Sequence, residues 1–421
     1  MIMPDRLRVL VAAYACSPVR GSEPGVGWGW IKALARDHDL WVLTAAHFRD
    51  EIESELANDI SLARHVKFHY IPRYRAMLLE RFWHPAYLWT YKHQWQRDAY
   101  RLARELHSEI GFDLIHQLTY VGFRVPGYLW KLDIPFVWGP LGGLEQLPWR
   151  LFGALDWRGK AYYFSRNLWN QFDRRLAPSP RRAFHRAAAL IAATTGIRDQ
   201  IQRFYGRESS VICEIGMPPC TVSRPRARNA EEPLHLLWSG LHNPGKVLPI
   251  LLRALAGIPS HIDWRLTILG AGPSTTRWRR LSAKLGLEAR CQWLGQVPRT
   301  QALAEMRTAH VLVITSLYDL TSTVLVEALA SGVPVICPHL YGFRDAVTAQ
   351  CGFRIEPSSP ADLVAGFARA IVQLHDDEEL RYRMALAALS RSQQFSWERK
   401  AEALDLIYRA VAYRVPVPQP A

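Results

Sequence analysis

This sequence predicts an α/β fold built from two parallel sheets, and three observations lead to it. Strand-like apolar runs alternate with longer helical patterns from end to end, the arrangement of α/β proteins. At 421 residues the chain exceeds what one hydrophobic core normally fills, so two domains are expected. Within residues 213–233, CEIGMPPCTVSRPRARNAEEP loses hydrophobic periodicity and gains proline and charge, as a linker does.

The elements follow in order. RLRVLVAAYA, DLWVLTA, VKFHYIP, FDLIHQL, IPFVWGP and AALIAAT read as strands of the first half. LHLLWSG, WRLTILGAG, CQWLGQ, HVLVITS, PVICPH and FRIEP read as strands of the second. Each half is Rossmann-like, with the carboxyl ends of its strands expected to face a central cleft. FSWERKAEALDLIYRAVAYR is an amphipathic helical pattern with Ser396 as N-cap and Trp397 at its start. The expected boundaries are 1–215 for the first domain, 232–396 for the second and 397–421 for a terminal helix and tail.

Composition narrows the class. Apolar content of 49% and 21% charge indicate an ordinary globular protein. The six cysteines are scattered, without CxxC or paired metal spacing, and read as small buried hydrophobes in a reducing compartment. MIMPDRLRVLVAAYA reads as a first strand, its apolar run being too short for a signal peptide. No apolar stretch reaches the ~18 residues needed to span a bilayer, so a cytoplasmic location is expected.

A formal charge of +14 asks for a partner. Arginines in 73–105 and 150–207 are interleaved with Trp and Tyr, a mixture that suits peripheral contact with an anionic membrane at its inner face. The plainer reading is a packed aromatic stripe backed by a solvated Arg face. No recognisable nucleic-acid module is present.

The chemistry concentrates in residues 311–337, VLVITSLYDLTSTVLVEALASGVPVIC, which read as strand, polar loop, helix, Gly turn and strand. Thr321, Ser322 and Thr323 are N-cap candidates before a helix Val324–Ala330, which ends at Gly332 with Pro334 beyond. A helix N-terminus at the carboxyl end of a parallel strand offers free N–H groups and a positive dipole end to an anion. Asp319 and Glu327, with seven residues between them, add carboxylates able to grip polyol hydroxyls. Phosphate and polyol together point to a sugar nucleotide.

That segment resembles the E-x7-E region of the retaining GT-B glycosyltransferases of family 4 (glycosyl transferases group 1). Glu327 matches the second acid, while Asp319 stands where Glu is usual, and Leu320, Thr321 and Ser322 replace a Gly-Phe-Gly. LHLLWSGLHNPGKV is similar to the family's G-R-L-x-x-x-K loop: Gly240 and Lys246 match, Leu241 replaces the Arg, and Val247 replaces a frequent Gly. GSEPGVGW resembles a bacterial branch associated with surface-polysaccharide assembly, and F-S-W-E resembles the family's closing segment, whose helix returns to the first domain.

The resemblance implies a metal-independent enzyme without cofactor, in which a nucleotide-diphosphate sugar donates to a glycan or polyprenyl-linked acceptor. It implies that Lys246 neutralises the departing diphosphate with the N–H groups around Ser322, Thr323 and Val324. Glu327 would take the ribose hydroxyls and Asp319 a donor-sugar hydroxyl. Gly272 would shape a turn beside the donor, with Val297 near the base. His116 would orient sugar or acceptor at a strand end. Glu23, Gly25, Val26, Gly142, Gly143 and Glu145 would form acceptor loops, the first three in a Gly-rich strand-to-helix turn. Gly25-Val-Gly27-Trp-Gly29 lacks the dinucleotide register, which argues against NAD. Two other readings remain open: a sugar-nucleotide epimerase of related fold, and a non-catalytic nucleotide-sugar-binding assembly protein.

Overall fold

A computed structural model describes residues 6–72, 94–218, 222, 224–229 and 231–417. The aromatic and basic run 73–93, part of the proposed lipid-facing surface, lies outside the described residues.

The chain forms two compact units. The first comprises Met1–Glu145, Gln171–Gly216 and Trp397–Ala421, and the second Gln146–Asn170 and Met217–Ser396. Residues 146–170 therefore depart from the expected boundary at 215. The cause is packing: Leu147, Leu151, Leu155 and Tyr163 lie in one hydrophobic core with Leu236, Trp238 and Ile268 of the second unit.

Among the described residues the first unit holds a seven-stranded sheet ordered β3-β2-β1-β4-β5-β6-β7. Its strands are β1 Arg8–Ala13, β2 Asp39–Ala45, β3 Val66–Ile71, β4 Leu114–Thr119, β5 Phe136–Leu141, β6 Ala189–Ala192 and β7 Ser210–Val211. All pairings are parallel. Every residue of β4 and β5 is buried, and β5 reads accordingly as a run without polar alternation, while β4 buries His116, Gln117 and Thr119 as well. The second unit holds a six-stranded parallel sheet ordered β10-β9-β8-β11-β12-β13. Its strands are β8 Leu234–Ser239, β9 Trp264–Leu269, β10 Cys291–Gly295, β11 Val311–Val313, β12 Val335–Pro338 and β13 Gly352–Ile355. In both sheets the order reverses beside the first strand, and such switch points open a crevice at the strands' carboxyl ends.

The terminal helix Trp397–Ala412 is anchored in the first unit by one aromatic wedge. The Trp397 indole occupies the space that side chains at Gly29 and Gly216 would fill, and it meets Trp30 edge-on at 5.5 Å. Further along, Lys400 donates to the Cys213 carbonyl at 2.7 Å. The expected Gly-rich turn is itself helical from Ser22 to Leu34. A Cβ at Gly27 would strike the Ala15 carbonyl, so this glycine serves close packing of the helix on the segment that follows β1.

Buried imidazoles give the fold an acid limit. Burial lowers His116 to about 4, His235 to about 4 and His310 to about 3. A depressed folded pKa keeps each ring neutral, so its stability contribution is complete above the unfolded value near ~6.5 and is lost as pH falls towards 4. The melting temperature should be level from pH 8 to ~6.5 and drop steadily below that. A level profile down to pH 4 would mean that these rings accept protons without cost.

Candidate functional site

The loop after β8 reaches Lys246 through a series of tight constraints. The Lys246 N–H donates to the Asn243 side-chain oxygen at 3.2 Å. Its carbonyl accepts from the Thr315 hydroxyl at 2.5 Å, and that hydroxyl accepts from the Trp238 indole N–H at 2.9 Å. The next residue, Val247, has φ +41° and is 2% exposed. A β-branched residue is strained in this left-handed region, and burial of its side chain holds it there. The position therefore asks for Gly and receives Val.

The side chain of Lys246 passes Gly240, its Cδ 3.7 Å from where a Cβ would stand, and its ammonium bonds to Asp319 Oδ2. Asp319 Oδ1 accepts from the Leu320 N–H at 3.0 Å. Both side chains are about one-fifth exposed, so the pair remains open to solvent and to a ligand (20% and 22%). Gly270 at φ +103° presses its backbone against Gly240, and a Cβ at Gly272 would lie 2.7 Å from the His242 carbonyl. Only glycine lets these strand-end loops approach so closely.

Beyond Asp319, Thr321 is buried, and Ser322 takes extended backbone before the helix Thr323–Ala330. The Ser322 hydroxyl makes no capping bond, so the side-chain cap expected from sequence is not formed. The N–H groups of Thr323 and Val324 stand in the helix's first turn, where no intrahelical acceptor exists. One turn on, Glu327 is 8% exposed, and its Oε1 accepts from Arg299 Nε at 3.0 Å and Nη2 at 2.9 Å. Burial pushes the Glu327 carboxyl above its usual range, and the Arg299 hydrogen bond and charge pull it back. Arg299 opens the helix Arg299–Thr308, with half-buried Val297 just before it. Lys246, Asp319, the helix start and Glu327 thus belong to one unit, at the carboxyl ends of β8 and β11.

Sequence reading missed several neighbours. Gly342 donates its N–H to the Leu320 carbonyl at 3.0 Å, and a Cβ there would collide with the Thr321 hydroxyl. Tyr341 sits at φ +49° and donates to the Leu317 carbonyl at 3.0 Å. Arg166, from the helix Trp157–Leu176, lays its guanidinium 3.8 Å from the Tyr318 ring centre and bonds to the Tyr318 hydroxyl. Leu241, where an Arg was expected, is 58% exposed. Arg166 carries no sequence signal for this placement, because about 150 residues separate it from Tyr318.

The first unit gathers the other predicted residues at its own strand ends. Glu23 accepts from the Val121 N–H at 3.3 Å, and burial raises its carboxyl despite that bond. Gly142 donates to the Val121 carbonyl at 2.6 Å, Gly143 has φ +82°, and Glu145 accepts from the Thr194 hydroxyl at 3.0 Å. Gly25 and Val26 lie within the Ser22–Leu34 helix, where a Cβ at Gly25 would press on the Arg20 carbonyl at 2.5 Å. His116 is the correction. It is fully buried, with Nδ1 2.5 Å from the Tyr408 hydroxyl and Nε2 2.7 Å from the Gly139 carbonyl. Both ring nitrogens are occupied, so His116 ties β4 to the terminal helix and has no nitrogen left to orient a sugar.

Comparisons with known proteins bear on this geometry. Residues 222–391 match the family model described as Glycosyl transferases group 1. A D-inositol 3-phosphate glycosyltransferase of Corynebacterium glutamicum is 31% identical over 42% of this chain and 44% of its own length. A glycogen synthase of Mycobacterium tuberculosis is 28% identical over 55% of this chain and 56% of its own. The chain thus spans about half the length of these relatives. Among solved structures, a sucrose-phosphate synthase from Thermosynechococcus elongatus aligns over 97% of this chain and 100% of its own, with TM-score 0.65 and 18% identity. HepE of Anabaena in complex with UDP aligns over 95% and 98%, with TM-score 0.62 and 17% identity. The fold is α/β of the GT-B class, and residues 222–391 are similar to the group 1 glycosyl transferases.

Proposed function

We propose that this chain is a retaining, metal-independent glycosyltransferase of family 4. It takes a nucleotide-diphosphate sugar and extends a glycan or polyprenyl-linked glycan in bacterial surface-polysaccharide assembly. The observation that carries the reading is the ammonium of Lys246, held on Asp319 in the unit whose Thr323–Ala330 helix presents its N-terminus. A diphosphate placed at that helix start draws the ammonium to itself, since phosphate offers it a fuller charge than one carboxylate. Asp319 is then released to accept a hydroxyl of the donor sugar. Lys246 and the N–H groups of Thr323 and Val324 stabilise the leaving diphosphate, the function a bound metal performs elsewhere. Arg166, lying on Tyr318 beside Asp319, supports the site's positive charge where Leu241 supplies none.

Glu327 accepts the ribose diol through the oxygen that Arg299 leaves unused. Glu23, Gly142, Gly143 and Glu145 line the acceptor's side of the first unit. The cytoplasmic face of the membrane is the place where such an acceptor would be met. UDP-glucose is the first donor to try, because HepE has been solved with it.

The test is radiolabelled transfer from a nucleotide-sugar panel into membrane extracts, run beside donor hydrolysis. Label incorporated into a glycan supports the reading. An inverted sugar stereocentre on an otherwise intact donor would make the chain an epimerase, and binding without turnover would make it an assembly protein. In calorimetry, Glu327→Gln should weaken nucleotide binding ~10-fold, the scale of one hydrogen bond to a charged acceptor. An unchanged Kd would remove Glu327 from the ribose.

A further inference from the structure

Arg166 is seated but not satisfied. Its guanidinium lies 3.8 Å from the centre of the Tyr318 ring, and its side chain donates to the Tyr318 hydroxyl. The Nη1 of the same group is enclosed by protein and has no hydrogen-bond partner among the described residues. Buried polar groups in folded proteins are nearly always bonded, so an exception of this kind asks for an explanation. A neutral phenol is also a weak partner for a full charge, since bonds to carboxylate or phosphate are roughly twice as strong. The guanidinium therefore keeps bonding capacity in reserve, and an anion within reach would draw it off Tyr318.

The seat puts that reserve beside the donor residues, all within the second unit. Tyr163 and Arg166 share one face of their helix, three residues apart. Each touches the residue that precedes one member of the Lys246–Asp319 pair. A Cβ at Gly245 would collide with the Tyr163 hydroxyl, and Arg166 holds Tyr318. The Tyr163 and Tyr318 rings meet with centres 5.7 Å apart. Burial raises the Tyr163 hydroxyl, and of the charges around it Arg166 lowers it while Asp319 raises it, so both act at one point. The pair itself is balanced, ammonium against carboxylate, and offers an arriving anion little net charge. We propose that Arg166 is a donor-binding residue: when the nucleotide sugar arrives, its guanidinium leaves the Tyr318 hydroxyl and takes an anionic oxygen of the donor. That oxygen belongs to the diphosphate or to a carboxylate on the sugar, and a planar fork suits both. The proposal rests on the donor reading above and adds the group that reads the donor's charge.

Binding titrations test it. UDP, GDP, ADP and dTDP are first titrated into the native chain. The base that binds is then offered as nucleoside, diphosphate, diphospho-hexose and diphospho-hexuronic acid (for uracil: uridine, UDP, UDP-glucose and UDP-glucuronic acid). If the diphosphate is the target, Arg166→Met should weaken UDP binding at least ~10-fold and leave the uridine affinity and the melting temperature unchanged. If a sugar carboxylate is the target, the loss falls on UDP-glucuronic acid alone. Arg166→Lys keeps the charge without the fork, should fold as the native chain does, and should recover part of the loss. Equal losses for all four ligands, uridine included, would make Arg166 a prop for Tyr318 and overturn the proposal. So would unchanged affinity for every ligand in Arg166→Met, with the donor reading left standing. A native chain that binds none of the four diphosphates would strike the donor reading, and this proposal with it.

Discussion

Lys246→Ala should lower turnover at least ~100-fold with the melting temperature little changed. Losing one preorganised electrostatic donor typically costs this much, and ~100-fold corresponds to about 2.7 kcal/mol of activation free energy. The reason to expect the full effect is how firmly this lysine is held. Asn243 takes its N–H, Thr315 binds its carbonyl, and the strained backbone of Val247 fixes where its side chain departs. A charge already in place does not reorganise when the leaving group forms, and that is what makes it effective. Single-turnover rates at saturating donor are the measurement. A near-normal rate would take Lys246 out of the chemistry and leave it as a partner of Asp319 only.

Trp397→Ala should destabilise the first unit by about 3–5 kcal/mol, the usual cost of truncating a large packed aromatic side chain. The site has little means of collapsing onto the gap. Its two walls are glycines 29 and 216, which have no side chains to move into the space. Behind the indole the helix continues to Tyr408, whose hydroxyl meets His116, so loosening its start loosens a bond between the helix and β4. Urea unfolding followed by a probe in the first unit should show a clear fall in midpoint. An unchanged midpoint would mean that the wedge is decorative.

Much of this molecule was readable as text. Every strand proposed from apolar runs is present, and those buried on both faces, such as β5 and β12, carry the plainest runs. β7, two residues at the sheet edge, was too short to leave a period. The helix carrying Glu327 begins within one residue of its expected start. The errors share a different character. Gly25, Gly27 and Gly29 looked like an open strand-to-helix turn, since sequence shows that a side chain is missing without showing what presses into the space. His116 looked like a cleft residue, since a strand end is also where a terminal helix can cover it.

The sequence by itself determined the class of fold, the order of its elements and the segment bearing Lys246, Asp319 and Glu327. These depend on period, punctuation and spacing, which are local properties of a chain. Tertiary structure alone decided the partners. It set Lys246 on Asp319, Arg299 on Glu327 and Arg166 on Tyr318, and it gave residues 146–170 to the second unit. Pairings across tens to hundreds of residues are selected by burial and charge once the sheets have formed, and no local pattern encodes which distant group will arrive.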